Sequence, residues 1–215
     1  MMKPDYEQDN IKLYNADCMD IMKEYEDNYF DLAVVDPPYG INFAKKHTGK
    51  GWIERESKDW DKNAPKKEYF DELFRISKNQ IIWGANYYPQ YLFHSMGWIF
   101  WDKGQRNFSL ADGELAFTSF QKALRVFTFT RGRMQSEEKN KWHPTQKPVK
   151  LYSWIYTNYA KEGQKILDSH LGSGSNAIAA HYAKMGEFVS VELDEDYFKA
   201  ACDRIYKETR QQDLF

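Results

Sequence analysis

The sequence predicts an α/β fold: a mostly parallel sheet with helices on both faces. Three observations carry this. Short apolar runs alternate with segments of helical period over most of the chain, the pattern of strands joined by crossover helices. The run "FDLAVV" is continuously apolar, as a buried strand should be. And 215 residues at 42% hydrophobic content suit one sizeable domain with its own core, spanning residues 1–215.

The elements follow in order. "IKLYNAD" gives a strand from Ile11 and "MDIMKEYE" a helical turn or two, before "DLAVV" as the next strand. From Ala44 to Lys67 the pattern is lost, and a loop of that length is usually functional. "KKEYFDELFRISK" is amphipathic through Tyr69, Phe70, Leu73, Phe74 and Ile76. "QIIWGAN" reads as a strand, "YYPQYLFHSM" as a short helix and "GWIFWDKG" as a strand. "GELAFTSF" and "ALRVFTFT" resemble a hairpin pair, and "RGRMQSEEKNK" a polar loop. Then come a helix at "PVKLYSWIYTNYA", a strand at "QKILD", a helix at "GSNAIAAHYAKM", a strand at "EFVSVEL" and a final helix at "DEDYFKAACDRIYKE".

Composition narrows the function. The net charge of −2 gives no overall basic footprint, so nucleic-acid contacts would come from local patches. Two cysteines, Cys18 and Cys202, form neither a disulfide framework nor a metal cluster, and fit a reducing compartment. "MMKPDYEQDN" is no signal peptide, and no apolar run approaches the ~20 residues of a membrane span. A soluble, cytoplasmic protein without metal is expected. Aromatics at 17% exceed core needs enough to suit a site that stacks flat ligands.

Three stretches carry chemistry. In "VVDPPYGI", Pro37 and Pro38 lack the N–H to extend a strand, so Asp36 and Tyr39 stand on a stiff turn at its carboxyl end, where open α/β sheets bind ligands. In "KILDSHLGSGSNAIAAHYA", a strand ends at Asp168 and glycines 172 and 174 let the backbone approach a ligand before a helix begins. Glu192 closes the following strand, where an acid typically binds the hydroxyls of a ribose. The loop is neither a full G-x-G-x-x-G, since Ala177 takes the third position, nor a phosphate loop. In "KWHPTQKPVKLYSWI", His143 sits in a turn and Lys147 precedes a helix whose first turn suits Pro148.

Together these stretches resemble the S-adenosylmethionine-dependent DNA amino-methyltransferases. "DPPY" at 36–39 is similar to their catalytic motif, "DSHLGSGS" at 168–175 to their cofactor loop, "HPTQKP" at 143–148 to the segment before it, and "NADCMD" at 15–20 to their adenine-contacting turn. The catalytic motif precedes the cofactor loop, which is the permuted order of the family's β class. The resemblance implies a Rossmann-like methyltransferase fold with an antiparallel hairpin strand in the sheet.

It also implies roles. Asp36 and the Pro37 carbonyl would accept from the target amine, with Pro38 stiffening the turn and Tyr39 stacking on a base rotated out of the duplex. Asp168, Gly172 and Gly174 would line the cofactor's methionine end and Glu192 its ribose; Asp36, His170, Ser173 and Ser175 would also bind the cofactor. Asp17 and Cys18 would meet its adenine edge, with His143 and Lys147 near its carboxylate. His170 departs from the family, which usually has Phe there. An Asp at the first motif position leans toward adenine N6, and a Ser toward cytosine N4. Flipping a base costs a few kcal/mol, which stacking at roughly 1–3 kcal/mol per base partly offsets. Cytosine N4, an RNA substrate and an inactive homologue are the alternatives.

Double-stranded DNA is the expected partner. Lys45, Lys46, Lys50 and Arg55 in the 44–67 loop, and Arg131, Arg133, Lys139 and Lys141 in a loop at 131–142, are the candidate phosphate contacts. Little room remains for a separate recognition domain, so relaxed or short-site specificity is expected. The tail "QQDLF", Gln211 to Phe215, is similar to the peptide by which bacterial replication proteins dock on the sliding clamp. A homodimer is a further candidate assembly.

Overall fold

The computed structural model describes residues 2–41, 62–107, 110–137 and 146–210. Strands β1 (Tyr6–Gln8) and β2 (Ile11–Asn15) precede α1 (Cys18–Met22) and β3 (Leu32–Val35). Next come α2 (Lys67–Ile76), β4 (Gln80–Trp83), β5 (Trp98–Asp102), β6 (Gly113–Thr118) and β7 (Arg125–Thr128). Then α3 (Arg131–Glu137), α4 (Val149–Tyr159), β8 (Lys165–Asp168), α5 (Ser175–Tyr182), β9 (Glu187–Glu192) and α6 (Glu195–Arg210) complete the described chain.

The strands form one sheet in the order β1-β2-β9-β8-β3-β4-β6-β5-β7. From β2 through β9, β8 and β3 to β4 every pairing is parallel, and β6 then runs antiparallel to both β4 and β5. This is the expected Rossmann-like sheet. Strand β3 leads through α2 to β4 on one side, whereas β8 leads through α5 to β9 on the other. The chain therefore diverges between β3 and β8, which opens a crevice at their carboxyl ends.

Burial follows from the pleat. Leu32 and Val34 join a core with Leu151 and Ile155 of α4, Ile178 of α5 and Ile205 of α6. Ala33 and Val35, pointing the other way, meet Ile21 and Met22 of α1 and Phe70, Leu73 and Ile76 of α2. All of β3 and β4 is buried, which is why both lack polar alternation.

The structure corrects three local expectations. The expected short helix at "YYPQYLFHSM" is a single 3₁₀ turn, Pro89–Tyr91, which follows another 3₁₀ turn at Ala85–Tyr87 that ends on the segment's first residue. Pro89 has no N–H to donate and disfavours helical backbone at Tyr88, whose φ is −139°. The "GELAFTSF" and "ALRVFTFT" strands do not pair with each other: β5 lies between them, antiparallel to β6 and parallel to β7. The hairpin is β5–β6. Third, the polar "RGRMQSE" is helix α3, not a loop. Thr130 Oγ1 accepts from the Arg133 N–H at 3.2 Å to start it, and Met134 is buried against the core. Strand β1, three residues on the sheet edge, carries too short and polar a pattern to be expected.

Candidate active site

Because β3 and β8 are neighbours, the turn after each opens into the same crevice. A cavity of about 480 Å³ lies there, walled by Asp36 and Pro38 on one side and by His170, Gly172 and Ser173 on the other. Asp17, Cys18 and Glu192 reach it from the ends of β2 and β9. The motifs that lie far apart in the chain thus share one cavity.

Asp36 leaves β3 with its side chain 19% exposed. Its Oδ1 accepts from the Tyr39 hydroxyl at 2.7 Å, and its Oδ2 accepts from Lys147 Nζ. The lysine is almost wholly buried and also meets Glu114 Oε2 at 3.1 Å and the Tyr39 hydroxyl at 3.2 Å. Burial raises the Asp36 carboxyl, and Glu114 adds to that while Lys147 opposes it; the net direction is up. Burial works against the Lys147 charge, yet Asp36 and Glu114 hold it above its ordinary value. For Glu114, burial is outweighed by Lys147 and Lys103, which bring it down to about 2.

Tyr39 stacks on the half-exposed Tyr87, centroids 4.9 Å apart and planes 14° from parallel. It fits there because residue 84 is glycine: a Cβ on Gly84 would lie 2.1–2.7 Å from Tyr39 ring atoms. Burial pushes the Tyr39 hydroxyl well up, so it remains a donor to Asp36. Pro37 is buried behind the turn.

The glycine-rich turn is tied down from behind. Asp168 is buried and stands behind the cavity wall, accepting from Asn176 Nδ2 at 2.9 Å and from the His170 N–H at 3.1 Å. Burial raises its carboxyl to about 8. Asn176 also donates to the Val34 carbonyl at 3.0 Å, which locks the β8 turn to β3. Arg204 of α6 donates to the Ser173 carbonyl at 3.0 Å and to Ser175 Oγ at 2.9 Å. Gly174, at φ +76°, serves packing rather than ligand approach, since its Cβ position lies 3.0 Å from Ile205. Gly172 does face the cavity, and its N–H donates to Glu192 Oε2 at 3.0 Å. Burial raises the Glu192 carboxyl.

Asp17 caps α1, accepting from the Met19 N–H at 2.8 Å. Burial pushes the neighbouring Cys18 thiol up to about 12, far from the thiolate a nucleophile needs. His170 Nδ1 lies 2.9 Å from Ser169 Oγ, which in turn lies 2.6 Å from the Tyr69 hydroxyl. Its ring meets Tyr69 edge-on, and burial lowers its pKa to about 4, so it is a neutral aromatic wall.

Lys147, expected near the cofactor's carboxylate, lines the cavity and lies between Asp36 and Glu114. Arg133 is exposed and bridges to Glu137 at 3.1 Å. His143, Lys45, Lys46, Lys50, Arg55, Lys139, Lys141 and 211–215 lie outside the described residues, as does the Arg131 side chain. Sequence reasoning missed Glu114, Tyr69, Gln146 and Asn176, all at the site. Asn176, one residue into the helix after the glycine loop, and Gln146, inside "HPTQKP", had a positional signal; Glu114 and Tyr69 had none.

Crevice, motif order and cavity define a methyltransferase-type α/β protein. The chain belongs to the DNA methylase family of N6/N4 type, whose profile matches residues 82–203. It is 26% identical to the type II methyltransferase M2.LlaDCHI of Lactococcus lactis subsp. cremoris, over 96% of this chain and 93% of that one. It is 25% identical to M2.DpnII of Streptococcus pneumoniae, over 97% and 94%. Among solved structures, the fold is similar to M1.HpyAVI in its SAM complex, with TM-score 0.61, 20% identity and coverage of 90% and 99%. It is also similar to the cytosine-N4-specific PvuII DNA methyltransferase, with TM-score 0.63, 13% identity and coverage of 96% and 94%.

Proposed function

We propose that the protein transfers a methyl group from S-adenosylmethionine to the exocyclic N6 amine of adenine in double-stranded DNA. The observation that supports this most is the shared cavity, which the Asp36 turn and the Gly172–Ser173 turn both line.

The residues present fit the cofactor. Glu192 offers a carboxylate at the cavity edge to ribose hydroxyls, Asp17 and Cys18 flank the place of an adenine, and Gly172 brings bare backbone to the methionine end. When bound, the cofactor supplies an electrophilic methyl group on its sulfonium. The protein's part is positioning and electrostatics. An exocyclic amine is a poor nucleophile because its lone pair is delocalised into the ring. Asp36 and the Pro37 carbonyl accept its two hydrogens, draw it toward sp³ and free the lone pair. Tyr39 stacks on the flipped base. The raised pKa of Asp36 suits its carboxylate to take the proton the amine sheds.

The whole chain acts as one catalytic domain, in the bacterial cytoplasm where its DNA lies. Phosphate contacts come from the basic residues of 44–67 and 131–142, and specificity is short or relaxed. Clamp docking through Gln211–Phe215 and a homodimer belong to the same reading.

The test is mass spectrometry of nucleosides after incubation with unmethylated duplex DNA and the cofactor. N6-methyladenine is expected. N4-methylcytosine would overturn the choice of base, and an unmodified product would overturn the activity.

A further inference from the structure

Glu114 opens β6, and because β6 runs antiparallel to β4, its first residues lie at the carboxyl ends of β3 and β4, beside Asp36. Its Oε2 meets Lys147 at 3.1 Å, and its Oε1 meets Lys103 at 2.5 Å. Asp36, Lys147, Glu114 and Lys103 therefore form a chain of alternating charge. Lys147 is 3% exposed, so it must keep an anion beside it at all times. Both Asp36 oxygens are engaged, one by Lys147 and one by the Tyr39 hydroxyl. An incoming amine needs that carboxylate.

We propose that Glu114 is a positioning residue: it gives the Lys147 ammonium a second anchor, so that Asp36 can be uncovered for the target amine while the buried cation stays compensated. This rests on the methyl-transfer reading given above. Lys103 holds the other oxygen of Glu114 and shares its charge with Lys147. The Tyr39 hydroxyl, 3.4 Å from Glu114 Oε2 and 2.7 Å from Asp36 Oδ1, can follow the lysine across. Swinging between two carboxylates that already hold it, Lys147 sets how tightly Asp36 is covered.

The test is Glu114→Gln, which keeps shape and removes the anion. The titration of Asp36 is read by carboxyl carbon NMR in the protein without cofactor or DNA. The charged and titratable groups around Asp36 are Lys147, Glu114, Tyr39, Tyr69, Tyr152 and Asp168. With Glu114 neutral, Lys147 is left to Asp36 alone, and the Asp36 midpoint falls by about one pH unit, tenfold in its ionisation constant. The kcat for methyl transfer falls about tenfold or more, and the acid limb of its pH profile moves down with the midpoint. The KM for cofactor stays near wild type, while the thermal midpoint falls, because Lys147 and Lys103 lose a shared anion. Glu114→Asp, which keeps the charge, returns the titration toward wild type. An Asp36 midpoint unmoved in Glu114→Gln overturns the proposal. Should that variant not fold, Lys103→Gln carries the test: Glu114 then grips Lys147 harder and the Asp36 midpoint rises, whereas no movement overturns the idea. Wild-type protein that methylates no DNA would overturn the functional reading instead, a result separate from the titration.

Discussion

At Asp36 three groups compete for two oxygens, and the winner depends on charge. Lys147→Met would leave Asp36 and Glu114 facing each other in a partly buried site with their shared cation gone. Breaking such a pair from one side costs about 3–5 kcal/mol when fully buried. Side chains about one-fifth exposed should lose somewhat less, about 2–4 kcal/mol in urea unfolding. A loss under 1 kcal/mol would mean the charges are already screened. His170 makes a second residue-scale prediction. Its folded pKa is lowered to about 4 from the ordinary 6.5, by burial. A depressed folded value means stability is fully present above pH 6.5 and lost as pH falls toward about 4. His170→Phe, which keeps a flat ring and removes the titrating nitrogens, should flatten that part of the stability curve. Below pH 4 the variant should lie up to about 3 kcal/mol above wild type relative to their difference at pH 7, since each pH unit is worth about 1.4 kcal/mol. Parallel curves for the two proteins would contradict this.

Elements position these residues, and two of them separate stability from activity. The 3₁₀ turn at Ala85–Tyr87 opens with Gly84 in left-handed backbone at φ +67°, directly under Tyr39. Gly84→Ala would drive the Tyr39 ring off Tyr87 and disturb its hydrogen bond to Asp36. Kinetics should show kcat/KM reduced by more than tenfold, with the larger part of the loss in kcat. Helix α2 behaves differently. Leu73 is fully buried there against Ala33 and Val35, on the face away from α4, α5 and α6. Leu73→Ala should cost about 2–5 kcal/mol of unfolding free energy. Its kcat in the folded fraction should stay within about twofold, and a large fall in kcat would mean that α2 sets the site geometry directly. Tyr69, one turn nearer the helix start, is where α2 does touch the site, through Ser169.

At the scale of the whole molecule, the crevice between β3 and β8 is the point where cofactor binding and folding meet. Ligand at a hundred times its Kd adds about 2.7 kcal/mol to the folded state. The thermal midpoint should therefore rise with S-adenosylmethionine, and Glu192→Gln should remove much of that rise. An equal rise in both proteins would sever Glu192 from the cofactor. What the sequence determined by itself was the catalogue of parts. Strands such as "LAVV", the helix through Leu73, the proline stop after Asp36 and the glycine turn before α5 all write themselves in local chemistry, because period, backbone freedom and missing N–H groups act over a few residues. Adjacency was beyond it. That β5 lies between β6 and β7, that α3 is anchored by Met134, and that Gly174 serves Ile205 rather than the cavity are long-range facts. Glu114 and Lys147 show why this matters for function: an ordinary acid in an edgeward strand and a lysine 33 residues later become one buried ion pair only when the antiparallel strand turns its start toward the crevice. Tertiary structure decided that pairing because the strength of a charge depends on the water excluded around it, and no local stretch of chain excludes water alone.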